Sequence, residues 1–397
     1  MNFNMSLYIF LAIAVAFLIS FASTPMVISL AHKLNAIDVP KDARRVHKKP
    51  TPLIGGLAIF YGFIVSALCF AVLDKEVVGI LIGSLIIVVV GMIDDITDMK
   101  AIIKLMCQII AAAIVVYSGV RIQHFANPFS AWFGPPYIVL NYWVSVAVTI
   151  FWIVGICNAV NLLDGLDGLA VGVSSIASVC MLCLTVLSQN ANAAILIAAV
   201  AGAGFGFLPY NFNPAKIFMG DTGALFLGFI LGCISIQGLL KMSAIISFTI
   251  PIIVLGLPIF DTLFAIVRRV SKGQSPMSPD RGHLHHRLLD LGFSQRQTVG
   301  ILYTLTTVLC LTAVVITLNN QLGKNGYIRG VFLIIAVFVI IVASLKFIPK
   351  KSSESLENDI TKIKPETYEE KEEKVEKVEK VEKVEKEDDE DKPNIAE

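Results

Sequence analysis

Long apolar runs alternate with short polar stretches along most of this chain. The first run, residues 6–31, is too long for a signal-peptide core and lacks a cleavage site, so it reads as a membrane helix. Further runs of spanning length fall near 53–73, 77–93, 102–120, 139–157, 169–188, 192–210, 222–240, 244–267, 298–318 and 328–348. The pattern predicts an all-α, polytopic membrane protein with about eleven transmembrane helices. Residues 1–348 form this transmembrane domain, and residues 349–397 form a separate charged tail.

The connections set the orientation. Residues 32–52 carry Lys33, Lys41, Arg44, Arg45, Lys48 and Lys49 against Asp38 and Asp42. The positive-inside rule places this stretch in the cytoplasm and the N-terminus outside. Alternation then puts 94–101, 158–168, 211–221 and 268–297 in the cytoplasm as well. The opposite connections are poor in charge, and 121–138 is the long one among them.

Composition sharpens this picture at one point. The chain is 55% hydrophobic and 16% charged, with a mean hydropathy of +0.74. Of its 31 acidic residues, 18 lie in the tail, whose net charge is −7 against +8 for the body. The overall charge therefore carries no nucleic-acid signature, and no nucleic-acid partner is expected. The tail repeats Lys-Val-Glu from Lys374 to Glu385. A three-residue period does not keep its valines on one helix face, so the tail reads as disordered or transiently helical, and cytoplasmic. In the body every acid except Glu76 is an aspartate. Acids in a membrane body are costly and mark function or pairing.

Those aspartates gather in the cytoplasmic connections. In residues 158–169, Asn158, Asn161, Asp164 and Asp167 recur every third residue, and Gly165 and Gly168 each follow an aspartate. On a helix this step lags a full turn by about 60°, which spreads the four groups over half the circumference. The bland alternative is a loop that caps two helices. Asp94-Asp95-Ile96-Thr97-Asp98 follows an apolar run; adjacent carboxylates there need a cation or shared protons, and Mg²⁺ suits them. Lys104 can reach phosphate at that level or simply snorkel to the interface. Phe218-Met219-Gly220-Asp221-Thr222-Gly223 offers a metal ligand or a helix cap, and an aromatic ring that stacks on a base or packs. The last loop holds Asp280-Arg281-Gly282-His283-Leu284-His285-His286-Arg287. Nothing there completes a zinc site, and Arg beside His fits phosphate better. An acidic, metal-ready centre ringed by Lys and Arg at a membrane face suits transfer of a phosphate-linked group onto a lipid.

These motifs, with Pro50-Thr51-Pro52-Leu53-Ile54-Gly55-Gly56, resemble in order those of the polyprenyl-phosphate N-acetylhexosamine-1-phosphate transferases. The resemblance covers roughly residues 5–348. It implies that undecaprenyl phosphate attacks the β-phosphate of a UDP-N-acetylhexosamine, releasing UMP, with Mg²⁺ required and Mn²⁺ able to substitute. It implies Asn161 and Asp221 as metal ligands, with Asp94, Asp95, Asp164 and His283 as catalytic residues. Asp94 and Asp95 match the pair at the lipid-phosphate side. Substrate-binding residues by the same resemblance are Lys104 for the diphosphate, Asp167 and Phe218 for uracil, and Asn158, His285, His286, Arg287 and Lys49. The last loop lacks the His-His-His-x-Glu pattern of the phospho-MurNAc-pentapeptide branch and looks instead like the GlcNAc-1-phosphate branch. UDP-GlcNAc, undecaprenyl phosphate and the plasma-membrane bilayer are thus the expected partners, with catalysis on the cytoplasmic face; a homodimer is left open.

The rival class is an ion-coupled transporter, whose acids lie near the bilayer midplane on broken helices. Here every body acid but one falls at a predicted helix end. The exception is Asp261, beside Pro258.

Overall fold

The computed structural model describes residues 3–39, 50–126, 134–135, 137–239, 249–275 and 282–322. The expected span at 328–348, the tail and Lys49 lie outside these residues.

Helix α1 (Phe3–Lys33) leads to a two-stranded antiparallel ladder of β1 (Ile37–Asp38) and β2 (Thr51–Pro52). Helices α2 (Gly56–Phe70), α3 (Lys75–Thr97) and α4 (Ala101–Tyr117) follow. A second ladder, β3 (His124–Ala126) with β4 (Tyr137–Val139), precedes α5 (Tyr142–Leu163). Then come α6 (Leu169–Leu187), α7 (Ala191–Asn211) and α8 (Gly220–Ile234), which runs into a π-helical turn at Ser235–Leu239. Helices α9 (Thr249–Val254), α10 (Gly256–Ser271), α11 (Leu284–Asp290) and α12 (Gln295–Leu322) close the described chain. Among the described residues seven helices are long and apolar enough to cross a membrane: α1, α3, α5, α6, α7, α8 with its π turn, and α12. The protein is thus multi-pass and mostly helical. The all-α expectation holds for the bundle, and the two short ladders are confined to connections between helices.

Helix α8 is the axis of the bundle. It packs against α2, α3, α5, α6 and α7, and every residue from Thr222 to Ile234 is buried. A helix that is apolar on all sides belongs in an interior. Small residues allow the approach, because helix association in lipid relies on close packing rather than on hydrophobic drive. A Cβ on Gly228 would lie 2.7 Å from Cys157 Cα, and one on Gly202 would lie 2.3 Å from the Ile13 carbonyl oxygen. None of the seven cysteines is in a disulfide.

Two expected boundaries move, with consequences for the site. Helix α3 continues through Thr97, so Asp94 and Asp95 sit on its last turn rather than in a loop. Helix α5 likewise continues to Leu163, so Asn158 and Asn161 are helical and Asp164 is the C-cap. The expected span at 244–267 is broken: α9 ends at Val254 and α10 begins at Gly256. Pro258 explains the break, since its ring clashes with the carbonyl four residues back, that of Val254, and it cannot donate to it.

Candidate active site

A carboxylate at a helix C-terminus faces the negative end of the helix dipole. Asp94 and Asp95 are both so placed, and each finds a compensating partner. Asp95 accepts from the Asp221 amide (2.8 Å), the Thr222 amide (3.0 Å) and the Thr222 hydroxyl (2.6 Å). It therefore caps α8 from outside, at that helix's positive end. Gly220 makes room: it has φ +67°, and a Cβ there would meet the Asp95 carboxylate at 2.4 Å. Asp94 accepts from the Met99 amide at 2.7 Å and pairs with Lys104.

Lys104 also pairs with Asp221, so one ammonium bridges two carboxylates from different helices. Asp221 further accepts from Asn161 Nδ2 at 2.7 Å. Because three residues on a helix fall short of a full turn, Asn158 faces a different neighbour. It exchanges amide hydrogen bonds with Gln108, donating at 2.6 Å and accepting at 3.4 Å. Gln108 escaped the sequence reading; a lone amide one turn beyond Lys104 in an apolar helix was the available signal.

Beside this cluster lies a cavity of about 380 Å³. Its wall includes Asp38, Leu53, Asp95, Asn161, Asp164, Asp167, Phe218, Asp221, His286 and Gln295. All five connections expected in the cytoplasm contribute, so they do meet at one end of the bundle. Five aspartates line the cavity, and no Lys or Arg does so among the described residues. Burial, then the charges of Asp221, Asp95 and Asp167, push the Asp164 carboxyl up to about 8. Such a cavity takes an anion only with added positive charge.

Phe218 is held by backbone. Its amide donates to the Pro52 carbonyl (2.8 Å), and the Gly55 and Gly56 amides donate to the carbonyls of Phe218 (3.0 Å) and Met219 (2.9 Å). The early Pro50–Gly56 motif is thus a splint for the Phe218–Gly223 motif. Asp167 accepts through Oδ2 from Asn213 Nδ2 (2.9 Å) and the Ala215 amide (3.1 Å). Asn213 also donates to Gln295 (2.6 Å), and Arg296 donates to the Asn213 carbonyl (2.8 Å). Residues 211–217 and 295–296, along with Asp38, were missed as site elements. Their polar side chains are ordinary for a loop, and only the fold brings them to the cavity.

The last loop is divided. His286 lines the cavity, while His285 packs on the turn after α5, where a Cβ on Gly165 would meet its Nε2 at 2.3 Å. Burial, then the neighbouring His286, hold the His285 imidazole down to about 4, so it is neutral at pH 7. His283 is not at the cavity; its Nδ1 lies 2.8 Å from Asp261 Oδ2. That removes Asp261 from the role of an uncompensated mid-span acid. Arg287, expected to contact substrate, is exposed on α11 and is not among the residues lining the cavity.

An acidic cavity set at the end of a membrane helix bundle suits charged substrates that bring or share cations. Comparison with known proteins agrees. The profile of glycosyl transferase family 4 matches residues 77–239, from α3 to the π turn. A Bacillus subtilis protein described as a probable undecaprenyl-phosphate N-acetylglucosaminyl 1-phosphate transferase is 40% identical over 309 residues, covering 77% of this chain and 85% of its own. The Mycolicibacterium smegmatis decaprenyl-phosphate N-acetylglucosaminephosphotransferase is 34% identical over 368 residues, 85% of this chain and 89% of its own. A phospho-N-acetylmuramoyl-pentapeptide-transferase of Desulforudis audaxviator is 31% identical over 334 residues, 76% of this chain and 96% of its own. The chain belongs to glycosyl transferase family 4 and is a multi-pass membrane transferase.

Proposed function

We propose that the protein transfers GlcNAc-1-phosphate from UDP-GlcNAc to undecaprenyl phosphate, giving undecaprenyl-diphosphate-GlcNAc and UMP. This is the first membrane step of a cell-surface polysaccharide. The observation that carries the reading is the Asp94–Lys104–Asp221–Asn161 chain beside the acidic cavity. An oxygen of the lipid phosphate attacks the β-phosphorus of the nucleotide sugar, and the bond to the UMP oxygen breaks. Such transfers need positioning and charge neutralisation more than covalent help.

The residues fit Mg²⁺. No cluster of three or more His, Cys, Asp or Glu suited to a metal exists among the described residues. Mg²⁺ commonly takes one or two carboxylates and completes its shell with waters and substrate phosphates; Asp221 would supply one carboxylate and Asn161 an amide oxygen, in place of the contacts Asp221 now makes with Asn161 Nδ2 and Lys104. Bound there, the ion would neutralise charge on the diphosphate. Lys104 adds a second positive charge beside the same carboxylates. Phe218 offers a face for the uracil ring. Asp167 keeps Oδ1 open for an N–H of the base while Oδ2 is tethered to Asn213.

Asp95 takes a different role from the one its neighbour plays. With three donors from α8, it sets the position of Asp221. Asp94 remains the candidate base at the lipid-phosphate side. A phosphate monoester has its second pKa near about 6, so the acceptor increasingly supplies its own nucleophile as pH rises. The turnover deficit of Asp94→Asn should therefore shrink between about pH 6 and pH 9 in a pH–rate profile. A deficit constant across that range would assign Asp94 to positioning alone.

Donor choice tests the reading as a whole. Purified protein with undecaprenyl phosphate and Mg²⁺ should release UMP from UDP-GlcNAc and not from UDP-MurNAc-pentapeptide, with the lipid product identified by mass. Tunicamycin, which imitates UDP-GlcNAc joined to lipid, should inhibit. Efficient transfer from the pentapeptide donor would overturn the GlcNAc assignment.

A further inference from the structure

Asp261 is buried on α10, away from the cavity, yet both of its oxygens are engaged. Oδ2 lies 2.8 Å from His283 Nδ1, and Oδ1 accepts from the Leu284 amide at 2.8 Å. The amides that open a helix lack partners within it, and a side chain just before the helix commonly serves them. His283, the N-cap of α11, makes no such bond. An aspartate from another helix does so instead.

Helix α11 has seven residues, too few to be stable on its own. Its placement rests on this bond and on an apolar cluster in which Leu284, Leu288 and Leu289 join residues of α5, α6, α10 and α12. Three imidazoles continue from the anchored end. The rings of His283 and His285 stack at 5.8 Å between centroids, and those of His285 and His286 lie 4.3 Å apart. His285 rests on Gly165, and His286 reaches the cavity. A shift at Asp261 therefore passes through the histidine row to the cavity wall.

We infer that Asp261 is a positioning residue for the nucleotide-sugar donor, acting through His283 and α11 to aim His286 into the cavity. The inference rests on the transferase reading above. The carboxylate fixes which His283 nitrogen carries its proton and which way the ring faces. It also fixes where the first turn of α11 begins. In metal sites, removing a partner that orients a histidine without touching substrate costs about 10- to 100-fold, and a loss at the lower end of that range is expected here.

The test is one double-variant comparison, backed by two single variants of His283, on the full-length protein in detergent, with UMP release as readout. Asp261→Asn keeps the acceptor for Leu284 but turns an N–H toward His283. The KM for UDP-GlcNAc should rise about tenfold while the KM for undecaprenyl phosphate stays within about twofold. Combined with His286→Ala, Asp261→Asn should add no further loss, since both act through one side chain. Additive losses, or an equal rise in both KM values, would overturn the inference. If Asp261→Asn does not fold, the His283 variants decide. His283→Asn retains an N–H for Asp261 and should keep donor KM near the parent, whereas His283→Ala should reproduce the tenfold rise. Equal damage in both would show that the bond to Asp261 is not what matters. A parent protein that releases no UMP would instead sink the transferase reading, so the two failures are distinct.

Discussion

Asp221→Asn is expected to lose turnover by about a thousandfold, or about 4 kcal/mol of barrier, while the protein stays folded. The substitution keeps the shape of the side chain and an oxygen for Asn161, but removes the charge that pairs with Lys104 and that the proposed Mg²⁺ site would use. In the proposed pair Asn161 is neutral, so Asp221 would supply its whole charge. Excess Mg²⁺ should recover little, because affinity for the ion and its position on the diphosphate fail together. The measurement is UMP release across a Mg²⁺ titration, beside a thermal melt. Near-normal rates would remove Asp221 from the metal site.

The largest stability effect is expected at Gly56. A Cβ there would lie 2.1 Å from the Gly223 nitrogen and 2.2 Å from its Cα, both rigid backbone. On the other side of α8, a Cβ on Gly91 would lie 2.6 Å from Thr222 Cα. Helices α2, α3 and the first turn of α8 thus meet backbone to backbone, directly beneath Asp221. Gly56→Ala must push α2 off α8, so it should cost about 3 kcal/mol, the upper end of overpacking, and most of the activity. Gly155→Ala is the control, since its Cβ meets nothing within 4 Å. It should melt at or slightly above the parent temperature, because alanine favours a helix over glycine by about 0.5–1 kcal/mol. A Gly56→Ala protein as stable as the Gly155→Ala protein would show that the helices do not touch there.

Much of this protein is written locally. Hydropathy located helices at the expected spans that fall within the described residues, save that 244–267 is broken at Leu255, because lipid leaves the backbone few alternatives to the helix. Spacing and residue type singled out Asn161, Asp164 and Asp167, since acids and amides beside apolar runs are too costly to be incidental, while Phe218 and Asp221 gained their expected roles from the family resemblance. Loop charge and the alternation of spans also placed five connections on one side, where they line one cavity.

What tertiary structure decided is who faces whom. Asp94 and Asp95 are adjacent and chemically identical, yet one pairs with Lys104 and the other caps α8. A helical step of 100° between neighbours separates them, and only the packing of α3 on α8 says which direction meets which partner. Asn158 and Asn161 divide in the same way between Gln108 and Asp221. His283, His285 and His286 lie within four residues, but one binds a buried aspartate, one packs on Gly165 and one reaches the cavity. Asp38, Gln108, Asn213 and Gln295 belong to the site only because distant segments fold onto it. The sequence determined the helices and the kind of chemistry, since those depend on side chains and their immediate neighbours. The division of labour among like residues depended on rotation and contact between helices, which no local pattern encodes.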